Sequence, residues 1–185
     1  MKILKFRTAG IRSAVAVAAT LALCAAPGAL AQQTQTLKFT APTANTKYTQ
    51  QHVINAGDAP SHEVRIFEIH RTFPKDPPQI GGVRVKETWA RGYSDYFDLN
   101  GTAVTYTTYV MENGDKFYTR TNVLSQNAAS ADGAKKGATN MTSGSITGGT
   151  GKFVGIRGTV RTTGAFDPKA GTNQTQLEMV YWMEK

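Results

Sequence analysis

The sequence predicts an all-β protein: an eight-stranded, antiparallel, up-and-down β-barrel that follows an export leader. Three observations carry this. Apolar and polar residues alternate with period two from His62 onward. Two Asn-Gly pairs, Asn100-Gly101 and Asn113-Gly114, sit where hairpins turn. No stretch after Ala31 shows the apolar stripe of a helix.

The leader comes first. Lys2, Lys5, Arg7 and Arg12 form a positive segment with no acidic residue among them, and Ser13 to Ala26 is almost wholly Ala, Val and Leu. Pro27 and Gly28 break the run before Ala29-Leu30-Ala31, the small-x-small pattern of a signal peptidase site. The apolar run falls short of the roughly 20 residues a membrane span needs. Cleavage after Ala31 is therefore expected, placing the protein in the periplasm or outside the cell with no membrane segment left. Leu21-Ala22-Leu23-Cys24 faintly resembles a lipoprotein box, the rival reading, but Leu23 is bulky where that box takes a small residue, so ordinary cleavage is favoured.

Cleavage leaves 154 of 185 residues, enough for one domain with its own core. The leader holds four of the 21 basic residues and none of the 13 acidic ones, so the remainder carries +4 (21 less 4, less 13) rather than +8. Its Lys and Arg residues are scattered singly, which argues against nucleic-acid binding. Cys24 is the only cysteine. The exported chain thus has no disulfide, thiolate nucleophile or cysteine-held metal. His52, His62 and His70 lack metal-ligand spacing, so no metal and no cofactor is expected.

Residues 32–61 read as a polar N-terminal tail with one edge strand at Thr36 to Thr40, and residues 62–185 as the barrel domain. The first barrel strand runs from His62 to Arg71. Val64, Ile66, Glu68 and His70 share one of its faces; Arg65, Phe67, Ile69 and Arg71 share the other. Phe73 to Gly82, with three prolines and a glycine pair, is a loop. Val83 to Ala90 follows, Gly92 marks a bulge or bend, and Tyr93 to Leu99 continues. Thr102 to Glu112 and Lys116 to Leu124 flank the Asn113-Gly114 turn, dense in residues that fit a pleated surface. Gln126 to Lys136 is a polar surface loop. Ala138 to Ile146, Gly155 to Thr163 and Thr175 to Glu184 complete the eight. Closure would remove exposed edges. Strands apolar on both faces imply a second buried surface, hence a homo-oligomer.

The segment Ser145 to Val160 includes Gly148-Gly149-Thr150-Gly151-Lys152-Phe153-Val154-Gly155. Its glycines permit a tight bend with positive φ, Phe153 is placed to plug a barrel end, and Gly155 and Gly158 allow close backbone approach. No Lys-Ser or Lys-Thr pair follows and no helix opens there, so it is not a phosphate loop. This segment resembles the Gly-rich signature of the allene oxide cyclase and dirigent barrels. Glu63 to His70 resembles the first barrel strand of the cyclase branch, whose carboxylate falls on Glu68 and whose asparagine position is His70 here. A proline nine residues on falls on Pro77, and Leu177 to Lys185 resembles the closing aromatic strand.

The resemblance implies an eight-stranded barrel, usually trimeric, around an apolar cavity. It implies catalytic roles for Glu68 and His70 on the Val64 and Ile66 face, and a pocket narrowed by Pro77. Trp89, beside Glu87, and Tyr106 or Tyr109 are further candidate binding residues; the two tyrosines lie on opposite faces, so only one points inward. Glu178 repeats the pattern of a carboxylate on an apolar face, and Arg120 with Tyr118 is a candidate for a carboxylate head group. No nucleophile with a paired base is visible. The expected function is binding of a small hydrophobic molecule in the cavity, with isomerisation or cyclisation of that ligand as the activity the resemblance implies. The alternative is a non-catalytic, lipocalin-like binding or structural barrel; a third reading is an interaction protein using its apolar outer face.

Overall fold

The computed structural model describes residues 33–41, 43–129, 135–167 and 172–184. The expected leader lies outside them. Ten strands follow in chain order: β1 (Gln35–Ala41), β2 (Thr46–Asn55), β3 (His62–Thr72), β4 (Gln79–Ile80), β5 (Val83–Phe97), β6 (Asn100–Met111), β7 (Lys116–Ala129), β8 (Lys135–Gly149), β9 (Ile156–Asp167) and β10 (Thr172–Met183). They form one antiparallel sheet in the order β1-β10-β9-β8-β7-β6-β5-β3-β2, with β4 pairing only with β5.

The strand number and the closure both differ from expectation. Among the described residues there are ten strands rather than eight, and no ladder joins the edge strands β1 and β2. Those edges are nevertheless consecutive in the chain, separated by four residues that include the 3-10 turn Thr43–Asn45. With every step antiparallel, β1 and β2 run the same way. One length of chain thus pairs first with β10 and then with β3, and side chains bridge the seam. Phe39 meets Phe73 edge-on at 5.7 Å. The Arg71 guanidinium donates to Asn173 Oδ1 at 3.3 Å, and Asn173 Nδ2 donates to Tyr48 Oη at 3.4 Å.

The edge strand expected at Thr36 to Thr40 falls within β1, whereas β2 lies where only a tail was expected. Thr46–Asn55 is mostly polar, with Tyr48, Val53 and Ile54 in no regular alternation, so its pattern gives no sign of a strand, yet it pairs with β3 from Thr46↔Arg71 to Asn55↔Glu63. Backbone hydrogen bonding makes this strand where side-chain pattern does not. β5 runs unbroken through Gly92, whose missing side chain admits the Phe67 ring; an added Cβ would lie 2.9 Å from it. The irregularity in β5 falls instead between Val85 and Glu87.

The Asn113-Gly114 hairpin forms as expected, with Gly114 at φ 88°. The other turn sits two residues earlier than Asn100-Gly101. Asp98 and Leu99 take the positive φ values, 51° and 67°, and Asn100 already pairs with Phe97. Ser125 Oγ donates to the Leu99 carbonyl at 2.6 Å, and Asn127 Nδ2 donates to that of Asp98 at 3.1 Å, which holds this unfavourable geometry. The expected loop 126–136 is also shortened at both ends, since β7 runs to Ala129 and β8 starts at Lys135.

Interior positions follow from the pleat. The core cluster gathers at one end of the barrel, where Phe117, Phe153, Ile146, Ile156, Val85, Met111 and Met179 pack together. Phe153 is buried with its ring 5.7 Å from Phe117, so the Gly-rich segment does plug the barrel end. Gly158 passes so close to β10 that an added Cβ would lie 2.8 Å from the Tyr181 Cα. Tyr181 Oη accepts from the Gly81 amide at 3.0 Å and donates to Gln35 at 2.6 Å, tying β1 and the β4 turn to the sealed end.

Candidate ligand cavity

Above this plug the barrel encloses a cavity of about 520 Å³, within the range of small-molecule sites. Tyr109 and Val160 belong both to the core cluster and to the cavity wall, so they form its floor. Pro60 and Ser61 from the β2–β3 connection and Asp98 and Leu99 from the β5–β6 turn line the opposite end. The walls carry aromatic rings from several strands, among them Phe39, Tyr48, Phe67, Tyr96 and Phe166, interleaved with threonines such as Thr88, Thr105 and Thr162. Small buried residues, Ala90 and Ala103, leave the space open.

On β3 the inward set is Glu63, Arg65, Phe67, Ile69 and Arg71. Two arginines therefore enter the barrel. Arg65 is compensated: it donates to Glu63 at 2.8 Å and to Gln51 at 3.0 Å, although its Nε is buried without an acceptor. Arg71 donates from Nε to Thr46 Oγ1 and from a terminal nitrogen to Asn173 Oδ1, both at 3.3 Å. Burial pushes its pKa down, and Tyr109 and Tyr48 push it back up. Burial likewise drives the Tyr109 phenol far above the ordinary range, opposed by Arg71. Tyr96 is raised to about 12, chiefly by burial. These tyrosines stay neutral at physiological pH and offer hydroxyls rather than charge.

The residues singled out from sequence fall mostly outside this space. Glu68 lies on the outer face, where Oε2 accepts from Arg91 at 2.7 Å and Oε1 accepts from Thr49 at 2.7 Å. His70 lies on the same outer face, its ring stacked on Trp89 at 4.0 Å and its Nε2 2.8 Å from Glu87. The physical reason is register: the pleat alternates, and β3 turns its odd-numbered residues inward. The cavity position expected for Glu68 and His70 is thereby corrected, and Trp89 goes outward with them. Pro77 sits in the β3–β4 connection and does not line the cavity. Of the two tyrosines, Tyr109 points inward; Tyr106 is exposed, its ring 6.0 Å from the Arg120 guanidinium. Glu178 is also outward, paired with Lys38 at 2.9 Å. The structure gathers Glu68, Arg91, Trp89, His70 and Glu87 into one outer-face cluster, apart from the cavity.

Sequence reasoning missed Arg71 as a site residue. The available signal was an arginine sharing a face with Phe67 and Ile69, which hydropathy alone assigns to solvent. No group of three or more metal-ligating side chains gathers among the described residues.

No protein-family model matches the sequence, and no curated protein matches it. Solved structures do. The pterocarpan synthase dirigent protein GePTS1 aligns with 90% of this chain and 100% of its own, at 16% identity and a TM-score of 0.50. The pterocarpan synthase dirigent protein PsPTS1 aligns with 83% of this chain and 97% of its own, at 15% identity and a TM-score of 0.46. At such identity the likeness to GePTS1 concerns the fold: an antiparallel barrel of the dirigent type.

Proposed function

We propose that this protein is an exported barrel that takes a small, largely apolar molecule into its internal cavity and fixes the shape in which that molecule reacts or is carried. The observation that carries the reading is the cavity itself, walled by aromatic rings and threonines above a sealed floor. Such a wall buries an apolar ligand and leaves a few hydroxyls to orient it. Control of ligand conformation needs no nucleophile. The cyclase activity implied by the allene oxide cyclase resemblance fits this reading as catalysis by folding the substrate. The acid/base role implied for Glu68 is not part of it.

The test is occupancy. The neutral fluorophore N-phenyl-1-naphthylamine is expected to bind one molecule per chain. Thr105→Trp, which fills the cavity from β6, is expected to weaken binding at least tenfold while the β-sheet circular dichroism is kept. Unchanged binding in that variant would place the probe on the surface and sink the reading. Export is tested separately: the N-terminus of the exported protein is expected to begin at Gln32.

A second reading concerns the outer face. Ile66 and Met141 are 63% and 61% exposed, and Tyr93, Tyr106 and Leu124 are exposed on the same side of β3 to β8. Ile66 pairs with Tyr93, and Leu124 with Met141, so the apolar residues lie side by side. Exposed apolar groups at this density favour a partner. We infer self-association, with three copies favoured by the family resemblance.

A further inference from the structure

Arg71 places a permanent positive charge in the barrel wall near the sealed end, because arginine does not lose its proton in a protein. Burying such a group without a carboxylate costs stability, so natural cores rarely keep one unpaired. Arg65, on the same face of the same strand, shows the usual solution, with Glu63 beside it. Arg71 has no carboxylate within ion-pair distance among the described residues. Its two hydrogen bonds are both 3.3 Å, beyond the usual 2.9–3.0 Å for N–H···O. A guanidinium has five donors. The remaining ones meet the cavity, since Arg71 lines it and is still partly accessible.

Its partners hold it there. Asn173 is buried and fixed by its own contacts: its amide donates to Thr43 Oγ1 at 3.1 Å, and Thr175 Oγ1 donates to its side-chain oxygen at 3.4 Å. Asn173 therefore sets the orientation of Arg71 from across the seam without neutralising it. A planar guanidinium with free donors matches a carboxylate, which accepts two parallel N–H bonds.

Resting on the reading of the cavity as a ligand site, we propose that its ligand is an amphipathic carboxylate, apolar along its length, whose carboxylate pairs with Arg71 while its body lies among the aromatic walls. The charge fixes which end of the ligand enters first. It thereby selects acids over neutral molecules of the same shape.

The experiment compares naphthalene-2-carboxylate with naphthalene-2-carboxamide, matched in size and differing in charge. The native protein is expected to bind the acid about 10- to 100-fold more tightly, the worth of charge-assisted hydrogen bonds in a buried site. Arg71→Met keeps the volume and removes the charge. It is expected to abolish the preference, leave amide affinity within about twofold, and be at least as heat-stable as the native protein. Arg91→Met, which removes an outer-face charge, is expected to keep the preference. Equal binding of acid and amide by the native protein overturns the proposal and leaves the cavity reading standing; this comparison needs no variant to fold. A preference that persists in Arg71→Met, or disappears in Arg91→Met, also overturns it. Failure of both probes to bind counts against the cavity reading itself, and the proposal falls with it.

Discussion

Arg71 on β3 and Asn173 on β10 lie 102 residues apart in the chain, and a 3.3 Å hydrogen bond joins them across the seam between β1 and β2, which no ladder spans among the described residues. The contact explains how the barrel holds its shape there. β2 and β1 supply the two sheet edges, and Tyr48, Thr43, Thr46, Arg71 and Asn173 link them through side chains. The seam therefore owes its closure to polar groups that also face or adjoin the cavity, together with the Phe39–Phe73 ring contact.

Phe153 tests the plug. It is 2% exposed and packs on Phe117 at the sealed end. Phe153→Ala leaves a void beneath the cavity floor and is expected to cost about 3–5 kcal/mol, the usual range for a buried phenylalanine. Urea denaturation would read this as a lower midpoint at unchanged slope. A loss below about 1 kcal/mol would mean the Gly-rich segment does not seal the barrel.

His62 gives a pH signature. Its Nε2 lies 2.7 Å from Asp95 and its Nδ1 2.6 Å from Asp58. The hydrogen bonds to Asp95 and then Asp58 raise its pKa above 6.5, while His62 lowers that of Asp58 below 3.8. A raised histidine contributes stability fully below 6.5, and loses that contribution as pH rises through its folded pKa. A lowered aspartate contributes above 3.8, and loses it as pH falls through its own folded pKa. Stability contributed by this cluster is thus expected to be greatest between the two. NMR titration of the His62 ring should show the upward shift, and Asp95→Asn should reduce it. A ring titrating at or below 6.5 in the native protein would contradict the two contacts.

Glu68 distinguishes the outer cluster from the cavity. Its partner Arg91 is more than half exposed, so the pair is solvent-screened and worth about 0–1 kcal/mol. Glu68→Gln is expected to shift stability by no more than that and to leave binding of N-phenyl-1-naphthylamine within twofold. A tenfold change in probe affinity would show that the outer cluster communicates with the cavity.

The outer apolar face is tested by sedimentation. The native protein is expected to form a closed assembly at micromolar concentration, with three copies favoured. Ile66→Lys combined with Tyr93→Lys places charge at a contact and is expected to dissociate it. A native protein that sediments as a strict monomer would leave these residues without a partner of their own kind.

The sequence by itself determined the local grammar of this protein. Period two over His62 to Arg71 sorted β3 into two faces correctly, the Asn113-Gly114 turn fell where φ must be positive, and the Gly-rich segment carried Phe153 to the barrel end. Only the tertiary structure decided which face of β3 looks inward. Alternation is symmetric: Val64 and Ile66 make one face apolar, Phe67 and Ile69 the other, and a shift of one residue exchanges them. Arg65 and Arg71 then argued for solvent on hydropathy, although one is paired inside and the other is held by an asparagine 102 residues away. β2 was hidden for a related reason, since its strand is made by backbone pairing with β3 rather than by a side-chain pattern of its own. Such pairing depends on long-range register, which exists only once the sheet has curled and its edges have met.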